Sequence, residues 1–133
     1  MNPSTITVNI PVKQLERAVK FYFALGFEPH PHFRGPDCQC MIVTDQIRVM
    51  VHLAESLKNF TPKPISDPES STGVVVCLDC DSKEQVDELV TRAVAAGGKL
   101  YDTAQDLGFV YTHGFLDADG NAWRLNCMSR SHA

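Results

Sequence analysis

The chain has no apolar stretch near the roughly 20 residues that a membrane-spanning helix needs; its longest apolar runs, such as 73–78, are far shorter. A charged start followed by an apolar core, the mark of a secretory signal, is also missing. The 12 lysines and arginines form no basic run, and the formal net charge is -4. We therefore expect a cytoplasmic protein that binds neither membrane nor nucleic acid.

A disulfide framework is equally unexpected. The five cysteines are an odd number and mostly fall inside strand-like segments, which fits a reducing compartment and free thiols. Cys38 with Cys40, and Cys77 with Cys80, could together offer four thiols to a zinc ion. Structural zinc sites use tight knuckles separated by loops, and this spacing does not match them.

The chain is long enough for one packed domain and contains two β-α-β-β-β patterns in succession. In the first, a strand at 6–12 precedes a helix whose apolar residues recur from Leu15 to Leu25, and Gly26 is placed to end that helix. An extended segment is predicted at 27–29. Strands follow at 38–44 and 47–53, joined by a tight turn.

The second pattern repeats this order. A strand at 74–78 leads through Asp81-Ser82 into a helix that Gly97 and Gly98 end. Further strands are predicted at 99–102, 109–115 and 122–128, with a turn between the last two. We therefore predict a single domain over 1–133, with module one at 4–54, a proline-rich linker or flap at 55–72 and module two at 73–128.

Several segments carry a family resemblance through their order and spacing. They are Val8-Asn-Ile-Pro-Val12, Phe21-Tyr-Phe-Ala-Leu-Gly-Phe27, Ala95-Ala-Gly-Gly98 and Gly114-Phe-Leu-Asp-Ala-Asp-Gly-Asn-Ala-Trp123. With them the chain resembles the vicinal oxygen chelate superfamily of glyoxalases, bleomycin-resistance proteins and extradiol dioxygenases. Residues 50–60 and 105–111 resemble, more narrowly, a bacterial subgroup labelled predicted lactoylglutathione lyase. The resemblance implies an α+β fold in which two tandem β-α-β-β-β modules form a curved mixed sheet around a concave cavity.

Metal-binding members of this superfamily place ligands, usually His or Glu, on the first and last strand of each module. The resemblance puts Thr7, Met50, Val74 or Val75, and Arg124 at these four positions. None of them is a usual donor, and the permanent charge of an arginine would oppose a divalent cation. We therefore expect no metal and no cofactor.

Strand alternation predicts which side chains line the cavity, because residues two apart on a strand share a face. On the strand at 47–53, Val49 and Val51 suit the face toward the helix, which leaves the opposite phase for the cavity. The predicted ligand-binding residues are Thr7, Asn9, Arg48, Met50, Tyr111, Arg124 and Asn126. Tyr111 and His113 share one face of their strand and join this set if that face is also concave. Such a set suits an anionic small molecule held by arginine.

Structural roles are the alternative for both arginines. Arg48 and Arg124 could lie at sheet edges or in a dimer interface, paired with acids such as Asp106 or Asp117. Trp123, in the opposite phase from Arg124, is expected to pack against a helix.

His52 and His113 are the catalytic candidates, because each lies inside a strand where it could accept a proton from a bound molecule. A buried, simply hydrogen-bonded histidine is the alternative for each. His30 and His32 are expected at the surface, and His132 is expected to be disordered near the C-terminus.

Three functions remain open. One is a metal-independent small-molecule binding protein, similar to antibiotic-sequestering members of the superfamily. Another is a glyoxalase-like lyase or isomerase, in which His52 or His113 moves a proton and Arg48 or Arg124 stabilises an enediolate oxygen. The third is an interaction module with a vestigial cavity. The resemblance also implies a homodimer, since modules of small members often pair between chains, although pairing within one chain is known.

Overall fold

The structure of the protein, a computed structural model, describes residues 2–128. His132 lies outside the described residues. The chain divides into two compact units, and the boundary between Asp67 and Pro68 falls inside the predicted linker. Each unit contains one of the two predicted modules.

The first unit forms a four-stranded mixed sheet. Its elements in chain order are β1 (Ile6–Pro11), α1 (Leu15–Ala24), β2 (Glu28–Gly35), β3 (Cys38–Thr44), β4 (Ile47–His52) and α2 (Ala54–Leu57). The strand order is β1-β4-β3-β2, with β1 parallel to β4 and the other pairs antiparallel. The parallel pair requires a long connection, and α1 begins that connection by crossing one face of the sheet.

The apolar stripe of α1 packs on the inner face of this sheet. Phe21 and Tyr22 from α1, and Val49 and Val51 from β4, are almost completely buried. Gly26 has a φ of 97° and ends the helix in the left-handed conformation, as predicted. The face of the sheet toward α1 is therefore the core of this unit.

The second unit repeats the arrangement. Its elements are β5 (Val75–Asp79), α3 (Lys83–Ala95), β6 (Gln105–Asp106), β7 (Val110–Leu116) and β8 (Ala122–Met128). The strand order is β5-β8-β7-β6, again with one parallel pair, β5 with β8. The predicted α+β fold of two β-α-β-β-β modules is confirmed, with one four-stranded sheet in each module.

Two edge segments differ from the sequence prediction. The extended segment predicted at 27–29 is the start of a longer strand, β2, whose register with β3 shifts between Pro29 and Arg34. The predicted strand at 99–102 is wrong: Lys99 makes one bridge to Leu116, and the paired residues of this edge are Gln105–Asp106. The intervening residues bulge from the sheet, because ladder pairing resumes only in a shifted register.

The start of α3 has the predicted capping residue. The Ser82 hydroxyl accepts a hydrogen bond from the backbone N–H of Gln85 at 3.1 Å, and the Gln85 side chain accepts one from the N–H of Asp81 at 2.9 Å. These reciprocal bonds satisfy donors that an uncapped helix leaves free.

Replacing Ser82 with alanine should therefore lower the free energy of unfolding by about 1 kcal/mol. Urea denaturation monitored by circular dichroism measures this loss. Ser82→Thr keeps the hydroxyl and should retain most of the stability; equal losses in the two variants would show that the cap contributes little.

Within residues 2–128 no helix has the length and apolar character to cross a membrane. All five cysteines are free thiols, as expected.

Candidate functional site

Five predicted site residues lie on one face of the first sheet. The parallel register places Thr7 beside Arg48 and Asn9 beside Met50, and His52 follows two residues later on β4. This face is turned away from the buried Val49 and Val51, and is called the distal face of the sheet. The structure thus brings these residues together, and their role in binding stays a prediction.

His52 is completely buried at one end of this face. Its Nε2 lies 2.8 Å from Asn9 Oδ1, and its Nδ1 lies 2.8 Å from the Ser56 hydroxyl of α2. An amide oxygen can only accept, so Nε2 carries the proton and Nδ1 accepts from Ser56. The Phe60 ring covers the imidazole with centroids 5.0 Å apart. His52 is a neutral histidine with both ring nitrogens engaged.

Burial lowers the pKa of His52 below its ordinary value of 6.5, because the charged form would lose its hydration. In the unfolded chain the ring takes up a proton as the pH falls through about 6.5, while the folded protein resists this until a lower pH. The contribution of His52 to stability is therefore complete above that pH and declines as the pH falls below it.

We expect the free energy of unfolding to decrease between pH 7 and pH 5 more steeply in the wild type than in a His52→Gln variant. Denaturant titrations at several pH values give both slopes. His30 acts in the same direction, since its pKa is also lowered, but it is present in both proteins and cancels in the comparison. Parallel slopes would show that His52 titrates normally in the folded state.

Arg48 is a cation without a carboxylate partner in the described part of the chain. Its side chain is half-buried at the start of β4, and its guanidinium carbon lies 5.7 Å from the centroid of the Phe33 ring on β2. Neither Asp106 nor Asp117, the acids suggested by the sequence, pairs with it. Asp106 binds Lys83, and Asp117 accepts hydrogen bonds within its own turn.

On the second sheet, Arg124 lies on the face turned away from the buried Trp123 and Leu125, which is called the distal face of that sheet. Its guanidinium is held on several sides. Its guanidinium donates to Asp102 at 2.6 Å, to Thr112 at 3.0 Å and to the Tyr101 hydroxyl at 3.2 Å. Burial opposes the charge, but the bonds to Asp102 and Tyr101 outweigh it and raise the pKa of Arg124. Its charge is thus neutralised by Asp102, which fits the structural alternative and leaves less attraction for an anionic ligand.

Asn126 shares this face, because it is two residues beyond Arg124 and pairs with Thr112. Tyr111 and His113 do not. The antiparallel register pairs His113 with Leu125 and Tyr111 with Cys127, in the opposite phase from Arg124. The condition for their joining the Arg124 set is therefore not met, since these alternate residues of β7 face the helix.

Their contacts agree with this placement. The Tyr111 hydroxyl donates to Asp87 of α3 at 2.6 Å, and this bond raises the pKa of Tyr111 to about 12. His113 lies in a groove of about 400 Å³ with Asp87, Val90 and Thr91 of α3. Its Nδ1 is 3.8 Å from Asp102, which makes Asp102 the neighbour of both His113 and Arg124.

The predicted ligand positions do not fit a metal ion. Thr7 offers a hydroxyl, Met50 a thioether and either Val74 or Val75 no donor at all, while Arg124 contributes a fixed positive charge. Among residues 2–128, moreover, no three His, Cys, Asp or Glu side chains come together in a way that could hold a metal. The donor set that the superfamily uses for divalent ions is absent from these positions.

Three residues of these faces were missed from the sequence. Phe33 reaches Arg48 only because β2 shifts register, and Tyr101 and Asp102 reach Arg124 from a bulge that was predicted as a regular strand. The available signal was weak: Asp102 precedes a short irregular stretch, where side chains often turn back to a neighbouring strand.

Comparisons with known proteins agree with this architecture. The family model of the Glyoxalase/Bleomycin resistance protein/Dioxygenase superfamily matches residues 5–125. No curated protein matches the chain significantly.

Solved structures match the chain over nearly its whole length. A glyoxalase/bleomycin resistance protein/dioxygenase family enzyme from Burkholderia phytofirmans is 24% identical, with a TM-score of 0.78 and coverage of 92% of this chain and 97% of its own. A lactoylglutathione lyase from Agrobacterium tumefaciens is 19% identical, with a TM-score of 0.71 and 96% coverage of both chains. A fosfomycin resistance protein from Listeria monocytogenes is 16% identical, with a TM-score of 0.71 and coverage of 99% and 98%. At these identities the likeness establishes the fold alone.

Proposed function

Because the chain belongs to the Glyoxalase/Bleomycin resistance protein/Dioxygenase superfamily, we propose that it binds a small organic anion on the distal face of its first sheet without the help of a metal ion. The proposal is one of binding and does not require turnover. It uses the face on which the superfamily's ligand positions fall, and it replaces the ion by side chains that donate hydrogen bonds.

The observation that carries the proposal is the unpaired charge of Arg48. A half-buried guanidinium loses part of its hydration, and proteins rarely keep such a charge without a partner. No carboxylate of the described chain supplies one. A bound carboxylate or phosphate would supply it, and Thr7 lies beside Arg48 as a further donor.

The chemistry of the donor set supports the metal-free form of the proposal. An anion near a divalent ion would need carboxylate or imidazole ligands to hold that ion in place. At these positions the chain has instead Arg124, locked by Asp102, and Met50. A guanidinium can meet an oxyanion directly through two parallel N–H donors.

Binding receives more support than a lyase or isomerase that uses His and Arg in place of a metal. Such an enzyme needs a histidine with a free ring nitrogen beside an arginine on the ligand face. Both nitrogens of His52 are engaged, and His113 lies on the face toward α3, so neither of the two histidines predicted to move a proton meets this need.

A ligand screen in the presence of a chelator tests the proposal. Matched pairs of small carboxylates and their neutral amides are added to the full chain in EDTA, and the melting temperature is recorded. We expect some carboxylates to raise it, because a ligand at 100 times its dissociation constant stabilises the folded state by about 2.7 kcal/mol. Stabilisation that appears only when a divalent metal replaces the EDTA would overturn the metal-free proposal.

A further inference from the structure

We propose that the anionic group of the ligand lies at a cluster formed by Arg48, Phe33, His30 and Thr7, and that the ligand is an aromatic carboxylate. This inference rests on the proposed function and names the position and chemical class of its ligand. These four residues, which lie on β1, β2 and β4, are called the β2–β4 cluster.

The irregular part of β2 builds this cluster. Between Pro29 and Arg34 the strand loses its register with β3. His30 closes the bulge, because its Nδ1 accepts hydrogen bonds from the backbone N–H groups of His32 at 3.0 Å and Phe33 at 3.1 Å. Bulges re-aim side chains, and this one places Phe33 against the guanidinium of Arg48 and 4.7 Å from the His30 ring.

The same bonds decide what His30 offers to a ligand. Since Nδ1 accepts from two backbone groups, the neutral ring carries its proton on Nε2, where it is a donor. Partial burial and then the nearby charge of Arg48 lower the pKa of His30, which keeps the ring neutral. Thr7, paired with Arg48 across β1 and β4, adds a hydroxyl. The cluster thus presents one cation and two neutral donors.

These donors match an oxyanion. Arg48 has no acidic partner in residues 2–128, so its fork of N–H groups is available for a bidentate carboxylate. Phe33 indicates the chemical character of the rest of the ligand. Phe33 is 54% exposed although it is a large apolar residue, and its ring offers a flat surface for an aromatic body attached to the anion.

A purely protective role for the bulge makes a different prediction. Prolines and bulges on an edge strand prevent pairing with other chains, and that purpose needs neither Arg48 nor an exposed ring. Under that alternative the cluster would not distinguish an aromatic anion from a neutral molecule of the same shape.

The experiment is a titration of the nitrogen-15-labelled full chain, in EDTA, with benzoate, benzamide and acetate as probes. Benzamide keeps the ring and shape but lacks the charge, and acetate keeps the charge but lacks the ring. We expect benzoate to shift the amide signals of Phe33, Arg48 and Thr7, with an affinity about tenfold or more above that of either other probe.

Three variants locate the site. Arg48→Gln and Phe33→Leu should each weaken benzoate binding by about tenfold, while melting temperatures show that both remain folded. Arg34→Gln is the matched control, because it also removes one arginine charge. Arg34 is on β2 and lines a groove against Leu15 and Glu16 of α1, away from the β2–β4 cluster. This variant should leave the affinity unchanged.

Benzamide binding as tightly as benzoate, or benzoate binding that is insensitive to Arg48→Gln or Phe33→Leu, would overturn the inference. So would a failure of benzoate to bind while other carboxylates of the screen do. The proposed function stands in these cases as long as other carboxylates of the screen bind in preference to their amides and lose affinity in Arg48→Gln. If no carboxylate of that screen binds, the proposed function itself fails.

Discussion

Replacing His52 with alanine is expected to lower the free energy of unfolding by about 3 kcal/mol. The change removes a fully buried ring from against Phe60 and leaves a space that its neighbours can fill only in part. It also removes the partner of Asn9 on one side and of Ser56 on the other. Urea denaturation at pH 7 measures the loss as a shift of the midpoint at constant slope.

Ser56→Ala is the graded control for this variant. It removes one of the two hydrogen bonds and leaves the ring in place, so we expect a loss of about 1 kcal/mol. If His52→Ala cost no more than Ser56→Ala, the buried imidazole would contribute nothing to stability beyond its bond to Ser56, which would contradict its structural role.

Replacing Asp102 with alanine is expected to cost about 2 kcal/mol, because it leaves the charge of Arg124 without its counterion. The side chains of Arg124 and Asp102 are 18% and 29% exposed, so water recovers part of the loss and the effect stays below that of a fully buried pair. Thermal or urea unfolding of the variant checks this value.

A double-mutant cycle separates the ion pair from other effects. In the Arg124→Met background the same change at Asp102 should cost about 1 kcal/mol less, since there is no charge left to strand. Asp106→Ala is the matched control: Asp106 lies in the same segment but forms an exposed, solvent-screened pair with Lys83, and its loss should have far less effect on stability than that of Asp102. Additive losses at Asp102 and Arg124 would contradict the neutralisation of Arg124.

The sequence predicted the modules well where hydrophobic periodicity was strong. The strands at 38–44 and 122–128 and the helix after Ser82 have their predicted limits or nearly so. On β4 the phase was also right, because Val49 and Val51 mark the buried face clearly and leave Arg48 on the other.

On β7 the phase was left open because both faces carry plausible residues. Tyr111 and His113 alternate with Val110 and Thr112, which are no more polar. The turn between β7 and β8 determines which face His113 is on, because pairing across it places Phe115 opposite Trp123. The two rings stack with centroids 6.1 Å apart. Trp123 packs in the core of its module as predicted, and the shared register carries His113 to that side.

The edge segments could not be predicted from local pattern. In β2 the register with β3 differs before and after the bulge. The register with β7 likewise differs before and after the bulge that follows Lys99. Register over such distances depends on packing of the whole sheet. For this reason the partners of the two arginines, Phe33 and Asp102, were found only in the structure.

One assay tests the central claim, that the protein binds its ligand without a metal ion and does not use the metal-dependent chemistry of the superfamily, most directly. The purified chain is incubated in turn with zinc, nickel, cobalt, manganese and iron(II), and the isomerisation of a hemithioacetal is followed with and without a chelator. We expect no turnover that depends on any of these ions, because Thr7, Met50, Val74 or Val75, and Arg124 do not form a donor set for a metal. Turnover that a chelator abolishes and a metal restores would contradict it.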